Sequence, residues 1–284
     1  MSLAHITKDE PKKIIAADFG EPGSGKTRLA TSLPIEPFGD MIYVCADEGS
    51  EGLDPILKKY RPRIHRLKPR PSDKGEWDPI ADYWDIVIKA KDGTWKREFP
   101  DAKTIIIDSF TAMSSYWMQH IANTGQFSQS GHIRIGPRGS EAGYNIPIPA
   151  DYGATQRALD RYLNGLFDLP YHIICVFHAA YDEPDSGGAP EFGPMTVGKS
   201  TVRVIGGKFP MVVRVESRTV GAGPGKESKQ EVTAHTQRQG VWNAKLRSGD
   251  EINPMPKTVL NPDPINFWET YIEKVHNSKG ENNV

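Results

Sequence analysis

The sequence has little cysteine, almost no net charge and no long apolar run. Its two cysteines, Cys45 and Cys175, lie in apolar segments, which is typical of buried reduced thiols and argues against a disulfide or metal-binding pair. A formal net charge of −1 provides no general attraction to nucleic acid, so such contacts require local patches. No segment approaches the ~20 apolar residues of a membrane span. We therefore expect a cytoplasmic protein with no membrane partner.

Apolar residues are also scarce for a chain of this length. They make up 37% of the 284 residues, whereas 27 glycines and 23 prolines indicate long connections. This length suits one large α/β domain with extensions. We predict a flexible N-terminus at 1–11, a main domain at 12–250, a C-terminal extension and helix at 251–277 and a disordered tail at 278–284.

The most specific motif is the segment G-E-P-G-S-G-K-T at 20–27, which matches the phosphate-binding loop G-x-x-x-x-G-K-[ST]. It follows an apolar run and precedes a predicted helix, which is the context that this loop requires. Glycines let successive backbone N–H groups face a phosphate. Lys26 would reach the β- and γ-phosphates of ATP, and the Thr27 hydroxyl would bind Mg²⁺. The predicted nucleotide-binding residues are Gly20, Glu21, Pro22, Gly23, Ser24, Gly25, Lys26, Thr27 and Arg28.

Apolar segments typical of buried strands alternate with segments typical of amphipathic helices. This alternation predicts an α/β fold with a mostly parallel central sheet flanked by helices, followed by antiparallel C-terminal strands and a terminal helix. We predict strands at 13–17, 41–47, 103–108, 171–178, 211–216, 231–235 and 241–245, helices at 78–91, 111–122, 151–168 and 264–276, and long loops at 123–150 and 182–207.

Polar residues follow the predicted parallel strands, where α/β sheets bind their ligands. Asp108 ends an isoleucine-rich strand and is predicted to hold Mg²⁺ through water; the alternative is that it caps the next helix, as Ser109 could also do. Glu48, or less favourably Asp47, is the predicted general base that orients the attacking water. His178 ends the strand predicted at 171–178.

Together these motifs resemble the RecA-type ATPase core, and in detail the phage and prophage RecA-like nucleotide-binding proteins, which include single-strand annealing and recombination ATPases. The resemblance covers about 12–250. It implies that the strand ending in His178 lies between the strands of the phosphate-binding loop and of Asp108. His178 would then sense the γ-phosphate; alternatively, it is a histidine that merely ends a strand.

The resemblance also implies that two long segments, at about 123–150 and 179–208, contact single-stranded DNA. Cations and glycine-rich backbone suit phosphate contacts. The basic stretch at 58–74 is a rival DNA surface, or alternatively an edge strand protected by charges. The candidate DNA-binding residues are Arg134, Arg138, Lys199, Arg203 and Lys208.

A further cationic pair could act across a subunit boundary. In a strand, Lys245 and Arg247 would point to the same side. Several RecA-type assemblies direct such a pair at the γ-phosphate of the neighbouring subunit, which would make the active form a homo-oligomer, as a ring or filament. The alternative is a charged surface strand. With Lys26, Glu48 and His178, this pair completes the predicted catalytic set.

These features predict a Mg-ATP-dependent ATPase acting on single-stranded DNA in phage-type recombination, annealing or replication. Other phage recombination or replication proteins are candidate partners. One alternative is a replicative helicase or helicase loader on the same core, and another is a nucleotide-dependent switch or scaffold without DNA contact. A small-molecule kinase is disfavoured, because no compact lid with clustered arginines is apparent near the phosphate-binding loop.

Overall fold

The computed structural model describes residues 13–46, 58–69, 77–124, 146–182, 190–198, 201–220, 229–246, 255–256, 258–260 and 265–276. The predicted flexible N-terminus at 1–11 and disordered tail at 278–284 lie outside these residues. So does most of the loop predicted at 123–150.

Ten strands in the described residues form one connected sheet, in the order β10-β8-β7-β1-β5-β4-β2-β3, with β6 paired to β5 and β9 paired to β7. From β3 to β7 the neighbouring strands along this order are parallel, whereas β8 and β10 continue the sheet antiparallel. The strands are β1 Ile15–Gly20, β2 Asp40–Cys45, β3 Ile64–Leu67, β4 Ala102–Asp108, β5 His172–Asp182, β6 Glu191–Pro194, β7 Met211–Val220, β8 Lys229–His235, β9 Lys245–Leu246 and β10 Thr258–Leu260.

Helices lie on both faces of this sheet. They are α1 Lys26–Ala30, α2 Ile35–Phe38, α3 Pro79–Lys91, α4 Thr94–Glu98, α5 Phe110–Thr124, α6 Pro149–Phe167, α7 Thr201–Lys208 and α8 Ile265–Tyr271, which continues as a π-helical turn at Ile272–His276; a 3₁₀ turn at Arg61–Arg63 precedes β3. The helix predicted at 78–91 begins where its sequence indicates, because the Asp78 side chain accepts hydrogen bonds from two backbone N–H groups of its first turn.

Each face of the sheet has its own apolar core. One face packs against α3, α5 and α6, where the fully buried Tyr162 ring contacts Tyr83 and Trp117. The other face packs against α1 and α8, and Trp268 there donates a hydrogen bond to the Leu29 carbonyl at 2.8 Å. Both cysteines are buried, and neither forms a disulfide.

The predicted fold class is therefore confirmed, whereas three local predictions are wrong. First, β5 does not end at His178; it continues to Asp182 and pairs antiparallel with β6. Second, the loop predicted at 182–207 contains β6 and most of α7. The sequence does not predict β6, because the glycine and the proline in this strand weaken the local strand signal. Third, the strand predicted at 241–245 is reduced to the two-residue β9. In addition, β7 pairs parallel with β1 as well as antiparallel with β8.

Candidate nucleotide-binding site

The phosphate-binding loop connects β1 to α1, as its motif predicts. Gly20 ends β1 beside β7, and a Cβ atom there would lie 2.1 Å from the Val215 carbonyl oxygen, so glycine is required. Gly23 and Gly25 have φ angles of 75° and 96°, which favour glycine as well. These three glycines therefore shape the loop and permit its close contact with β7.

Lys26 lies against the loop that it follows. Its side chain is largely buried, and its ammonium group donates a hydrogen bond to the Glu21 carbonyl oxygen at 2.7 Å. The position of the ammonium group, beside the loop backbone, suits contact with phosphate oxygens. Arg28, two residues further along α1, has a buried Nε with no hydrogen-bond partner in the described part of the chain.

Asp108 connects β4 to the phosphate-binding loop. Its Oδ2 accepts one hydrogen bond from the Thr27 hydroxyl at 2.6 Å and another from the Tyr43 hydroxyl at 2.9 Å. The alternative role as a helix cap belongs to Ser109, whose hydroxyl accepts a hydrogen bond from the Ala112 N–H at 3.1 Å. Asp108 therefore faces the loop and leaves the capping of α5 to its neighbour.

Thr27 and Asp108 fit a magnesium site. A hydroxyl and a carboxylate are the hard oxygen ligands that Mg²⁺ prefers, and their 2.6 Å separation brings them together beside the loop. Mg²⁺ in nucleotide sites uses few protein ligands and takes the rest from water and phosphates. When bound, the ion would neutralise charge on the β- and γ-phosphate oxygens.

A second carboxyl group, Asp18, lies in the same region and was missed by the sequence analysis. It is fully buried on β1, and strand alternation places it on the same face of the sheet as Asp108. Neither of its oxygens has a hydrogen-bond partner among the described residues. Burial, with a smaller contribution from the charge of Asp108, raises the pKa of Asp18 to about 8. Asp18 is therefore mostly protonated at neutral pH.

His178 lies opposite Gly20 in the β1–β5 register. Because β5 lies between β1 and β4, this is the strand order that the resemblance implied. The His178 backbone N–H donates a hydrogen bond to the Thr111 hydroxyl at 3.0 Å, which connects β5 to the start of α5. Strand alternation places the His178 side chain on the same sheet face as Asp108.

On the other side of β1, residues of the loop and of β7 line a cavity of about 210 Å³. The Arg214 guanidinium carbon lies 3.7 Å from the ring centroid of Trp242, and the same guanidinium pairs with Glu216 at 2.8 Å. Phe192 stacks against Trp242 with a centroid distance of 4.2 Å. The cavity is lined by Gly20, Glu21, Pro22, Gly23, Ser24, Arg214, Val215, Glu216, Ser217 and Trp242.

A family model described as an AAA domain matches residues 12–248, which is most of the chain. The chain belongs to the AAA domain family. This is a family of AAA-type P-loop ATPases, so nucleotide binding and ATPase activity in general follow from membership. No curated protein matches the chain. In the described part of the AAA domain and its extension, no helix is both long and apolar enough to cross a bilayer.

Several predicted site residues of the AAA domain lie elsewhere or outside the described residues. Lys208 ends α7 and pairs with Asp160 at 3.2 Å, and Lys245 donates a hydrogen bond to the Gly207 carbonyl oxygen at 3.3 Å. Arg203 belongs to α7, but its side chain is not among the described ones. Outside the described residues lie Asp47, Glu48, Arg134, Arg138, Lys199 and Arg247, whose roles stay predictions.

The basic stretch predicted as a DNA surface or an edge strand contains β3, which lies at the edge of the AAA domain sheet. Arg63 there hydrogen-bonds the Leu33 and Gly39 carbonyl oxygens and pairs with Asp40 at 3.4 Å. The guanidinium of Arg66 lies 3.7 Å from the Cys45 sulfur. The two arginines therefore help to attach this strand to the sheet. The edge position agrees with the alternative interpretation of this stretch, whereas the protection of the edge by its charges stays a prediction.

The sequence analysis missed four residues beside the candidate site of the AAA domain: Tyr43 and Asp18 near Asp108, and Arg214 and Trp242 at the cavity. For Asp18 a signal was present, since an acidic residue interrupts an otherwise apolar strand. Tyr43 and Trp242 show no such signal, because their roles depend on which strands become neighbours.

Proposed function

We propose that this AAA domain hydrolyses Mg-ATP with a RecA-like site and acts on single-stranded DNA in phage-type recombination, annealing or replication. The observation that carries the Mg-ATP part of the proposal is the 2.6 Å hydrogen bond between Thr27 and Asp108, beside the phosphate-binding loop. The DNA part extends the resemblance of the sequence motifs to RecA-type ATPases. The position of β5 between β1 and β4 supports the RecA-like assignment, because it brings His178 level with Gly20.

Each residue of the site has a distinct proposed role. Lys26 binds the β- and γ-phosphates and stabilises the charge that develops during phosphoryl transfer. Thr27 and Asp108 hold the metal ion, and Tyr43 orients the Asp108 carboxylate through its 2.9 Å hydrogen bond. His178 senses the γ-phosphate. Glu48 orients the attacking water and accepts its proton.

The oligomeric part of the proposal rests on Lys245. Its strand β9 pairs with Val212 of β7, which is level with Ala17 and therefore three residues before the end of β1. We infer that a lysine at that level is better placed to reach the ATP site of a neighbouring subunit than to reach the carboxyl edge of its own sheet. We therefore propose that Lys245, with Arg247, completes the ATP site of an adjacent subunit.

The decisive experiment measures ATP turnover of the wild type and of Lys26→Ala, with and without single-stranded DNA, over a range of protein concentrations. We expect Lys26→Ala to lower turnover at least about 100-fold, because a preorganised cation at the phosphates is lost. Lys89→Ala is the matched control, since Lys89 pairs with Asp85 on the exposed face of α3. It should retain wild-type turnover.

DNA and protein concentration test the finer parts of the proposal. A specific activity that rises when single-stranded DNA is added and when the protein concentration is raised supports a DNA-dependent oligomeric ATPase. Turnover that depends on neither DNA nor protein concentration would overturn these parts and leave an ATPase switch without DNA contact. Unwinding of duplex DNA would instead favour the helicase alternative. Equal turnover of Lys26→Ala and the wild type would overturn the proposed site itself.

A further inference from the structure

The helix that follows the phosphate-binding loop is too short to hold its own position. α1 has five residues, and isolated helices shorter than about 12 residues are at best marginal in water. Its N-cap is Gly25, which has no side chain that could stabilise this end. Lys26 and Thr27, which contact phosphate and metal in the proposed site, belong to its first turn. Their positions therefore depend on what packs against α1.

The C-terminal helix α8 packs against this short helix. Trp268 is fully buried, and its indole N–H donates a hydrogen bond to the Leu29 carbonyl oxygen at 2.8 Å. The Ser32 N–H also donates to this oxygen, at 3.2 Å, which the two lone pairs of a carbonyl allow. Leu29 lies in the last turn of α1, where carbonyl groups need partners from outside the helix. Trp268 therefore supplies one of these partners.

Aromatic rings hold Trp268 in this position. Its ring meets Phe38 edge-on at a centroid distance of 5.6 Å and Phe267 at 5.1 Å. Phe38 in turn contacts the ring of His172, at the start of β5, with a centroid distance of 5.0 Å. Because close-packed side chains have little freedom to move, this indole fixes the end of α1 relative to the sheet.

The helix that carries Trp268 lies outside the part of the chain that the AAA domain model matches. α8 spans Ile265–Tyr271, whereas the match ends at residue 248. The extension is also attached at a second place, where β10 pairs with β8 and the Thr236 hydroxyl donates a hydrogen bond to the Pro256 carbonyl at 2.7 Å. The contact between Trp268 and α1 therefore joins the extension to the helix of the proposed site.

We propose that Trp268 is a positioning residue for ATP hydrolysis: it holds the end of α1, so that Lys26 and Thr27 stay where phosphate and metal bind. The proposal rests on the proposed function, because it requires that the loop binds a nucleotide. Trp268 acts through the backbone of α1 and not on the ligand itself. Since coupling between two sites is reciprocal, phosphate bound at the loop also stabilises the packing of α8.

Turnover of Trp268→Phe tests the positioning role. Phenylalanine keeps an aromatic ring in the core but cannot donate the hydrogen bond to Leu29. We expect kcat for Mg-ATP to fall about tenfold with little change in KM, since a misplacement of about 1 Å can cost ~100-fold in rate and the rest of the core still restrains α1.

Trp117→Phe is the matched control. Trp117 is equally buried, on the other face of the sheet, and its indole N–H has no hydrogen-bond partner among the described residues. The substitution therefore removes the same atoms from a core without breaking a contact to α1, and kcat should stay at the wild-type value. Urea unfolding of both variants establishes that they are folded under the assay conditions.

Hydrogen exchange of the wild type tests the reciprocal effect without any substitution. Mg-tripolyphosphate, which has phosphates but no nucleoside, should slow backbone exchange in α8 several-fold. α3 packs on the other face of the sheet and serves as the reference, whose exchange should not change. In Trp268→Phe, the effect of tripolyphosphate on α8 should be lost.

Both measurements can overturn the proposal. A wild-type kcat in Trp268→Phe, equal losses in Trp268→Phe and Trp117→Phe, or exchange in α8 that tripolyphosphate does not slow would each overturn the positioning role and leave the phosphate site in place. If Trp268→Phe does not fold, the exchange of the wild type decides alone. If the wild type neither hydrolyses Mg-ATP nor binds tripolyphosphate, the proposed function fails instead.

Discussion

The two sides of the phosphate-binding loop are built from different chemistry. Toward β5 and β4, Asp108 is buried and held by short hydrogen bonds from Thr27 and Tyr43. Toward β7, the long charged side chains of Arg214 and Glu216 pair at the wall of an open cavity. The first side has fixed oxygen ligands, and the second has a planar surface beside open space.

The side toward β4 fits what the metal and phosphate end of a nucleotide requires. Metal and γ-phosphate chemistry depends on positions held closely, so rigid, buried oxygen ligands are favoured there. A base needs a flat surface on which to stack, and stacking tolerates different polar groups at the edge of the base. We infer that the β4 side determines the chemistry and that the β7 side does not distinguish between bases. The predictions below test that division, from the largest expected effect to the smallest.

The largest effect concerns Asp18 and protein stability. Its pKa is about 8 in the fold, against 3.8 as the ordinary value, so folding takes up a proton between these values. The contribution of Asp18 to stability is therefore fully present below about pH 4 and is lost as pH rises toward 8. From about pH 5 to 8, the free energy of unfolding of the wild type should fall by up to about 4 kcal/mol relative to Asp18→Asn.

Urea unfolding of both proteins across this pH range measures the difference. Asp85→Asn is a matched control, because Asp85 is exposed on α3 and pairs with Lys89. It should keep the wild-type pH profile. Parallel profiles for the wild type and Asp18→Asn would show that Asp18 is ionised in the fold, and the β4 side would then hold two charged carboxylates.

The next effect is on catalysis. Asp108→Asn keeps the shape of the side chain but removes its charge, so the metal ion loses its carboxylate. We expect ATP turnover to fall at least about 100-fold, or ~3 kcal/mol in activation free energy, with a weaker dependence on Mg²⁺. Turnover measured over a range of Mg²⁺ concentrations tests this. A turnover loss without a change in Mg²⁺ dependence would assign Asp108 another role.

Tyr43→Phe should have a smaller effect on the same side of the loop. It removes one hydrogen bond to Asp108 but leaves that from Thr27. We expect a loss of about 1 kcal/mol in the free energy of unfolding and a turnover reduced several-fold. Unfolding and turnover of Tyr43→Phe measure both quantities. Turnover as low as that of Asp108→Asn would mean that Tyr43 takes part in the reaction beyond orienting the carboxylate.

The sequence predicted the side toward β4 better than the side toward β7. The phosphate-binding loop and Asp108 have local signals, because glycine spacing and an acid after an apolar strand are visible in short segments. The resemblance added the position of β5 between β1 and β4. Arg214 and Trp242 have no such signal, since they meet only through the pairing of β7 with β1 and the stacking of Trp242 on Phe192.

The errors along the chain have the same physical origin. The extension of β5 past His178 depends on its pairing with β6, which contains a glycine and a proline that disfavour strands in isolation. The segment at 241–245 alternates like a strand, but Trp242 forms only isolated bridges, one of them with Phe192 of β6, and the regular pairing is that of β9 with Met211–Val212. Local patterns therefore predict elements with strong apolar periodicity, whereas tertiary pairing decides the weak ones.

The smallest expected effect is the preference between bases. Glu216 already accepts hydrogen bonds from Arg218 and His235 and pairs with Arg214. Burial raises the pKa of Glu216, but these contacts outweigh burial and hold the pKa below its usual value. A carboxylate that already has these partners does not accept a hydrogen bond from the amino group of a base. A serine hydroxyl can donate or accept a hydrogen bond, so it does not distinguish one base from another. We therefore expect dissociation constants for Mg-ATP and Mg-GTP within about tenfold of each other, or ~1.4 kcal/mol.

Calorimetry with both nucleotides measures this preference, with tripolyphosphate as the reference for the phosphates alone. A dedicated hydrogen-bonding site discriminates far more strongly, because its buried groups are left unpaired by the wrong ligand. A preference above about 100-fold would therefore require Glu216 to exchange its present partners for the base. In that case both sides of the loop would recognise the nucleotide through a fixed carboxylate, and the inferred division between them would not hold.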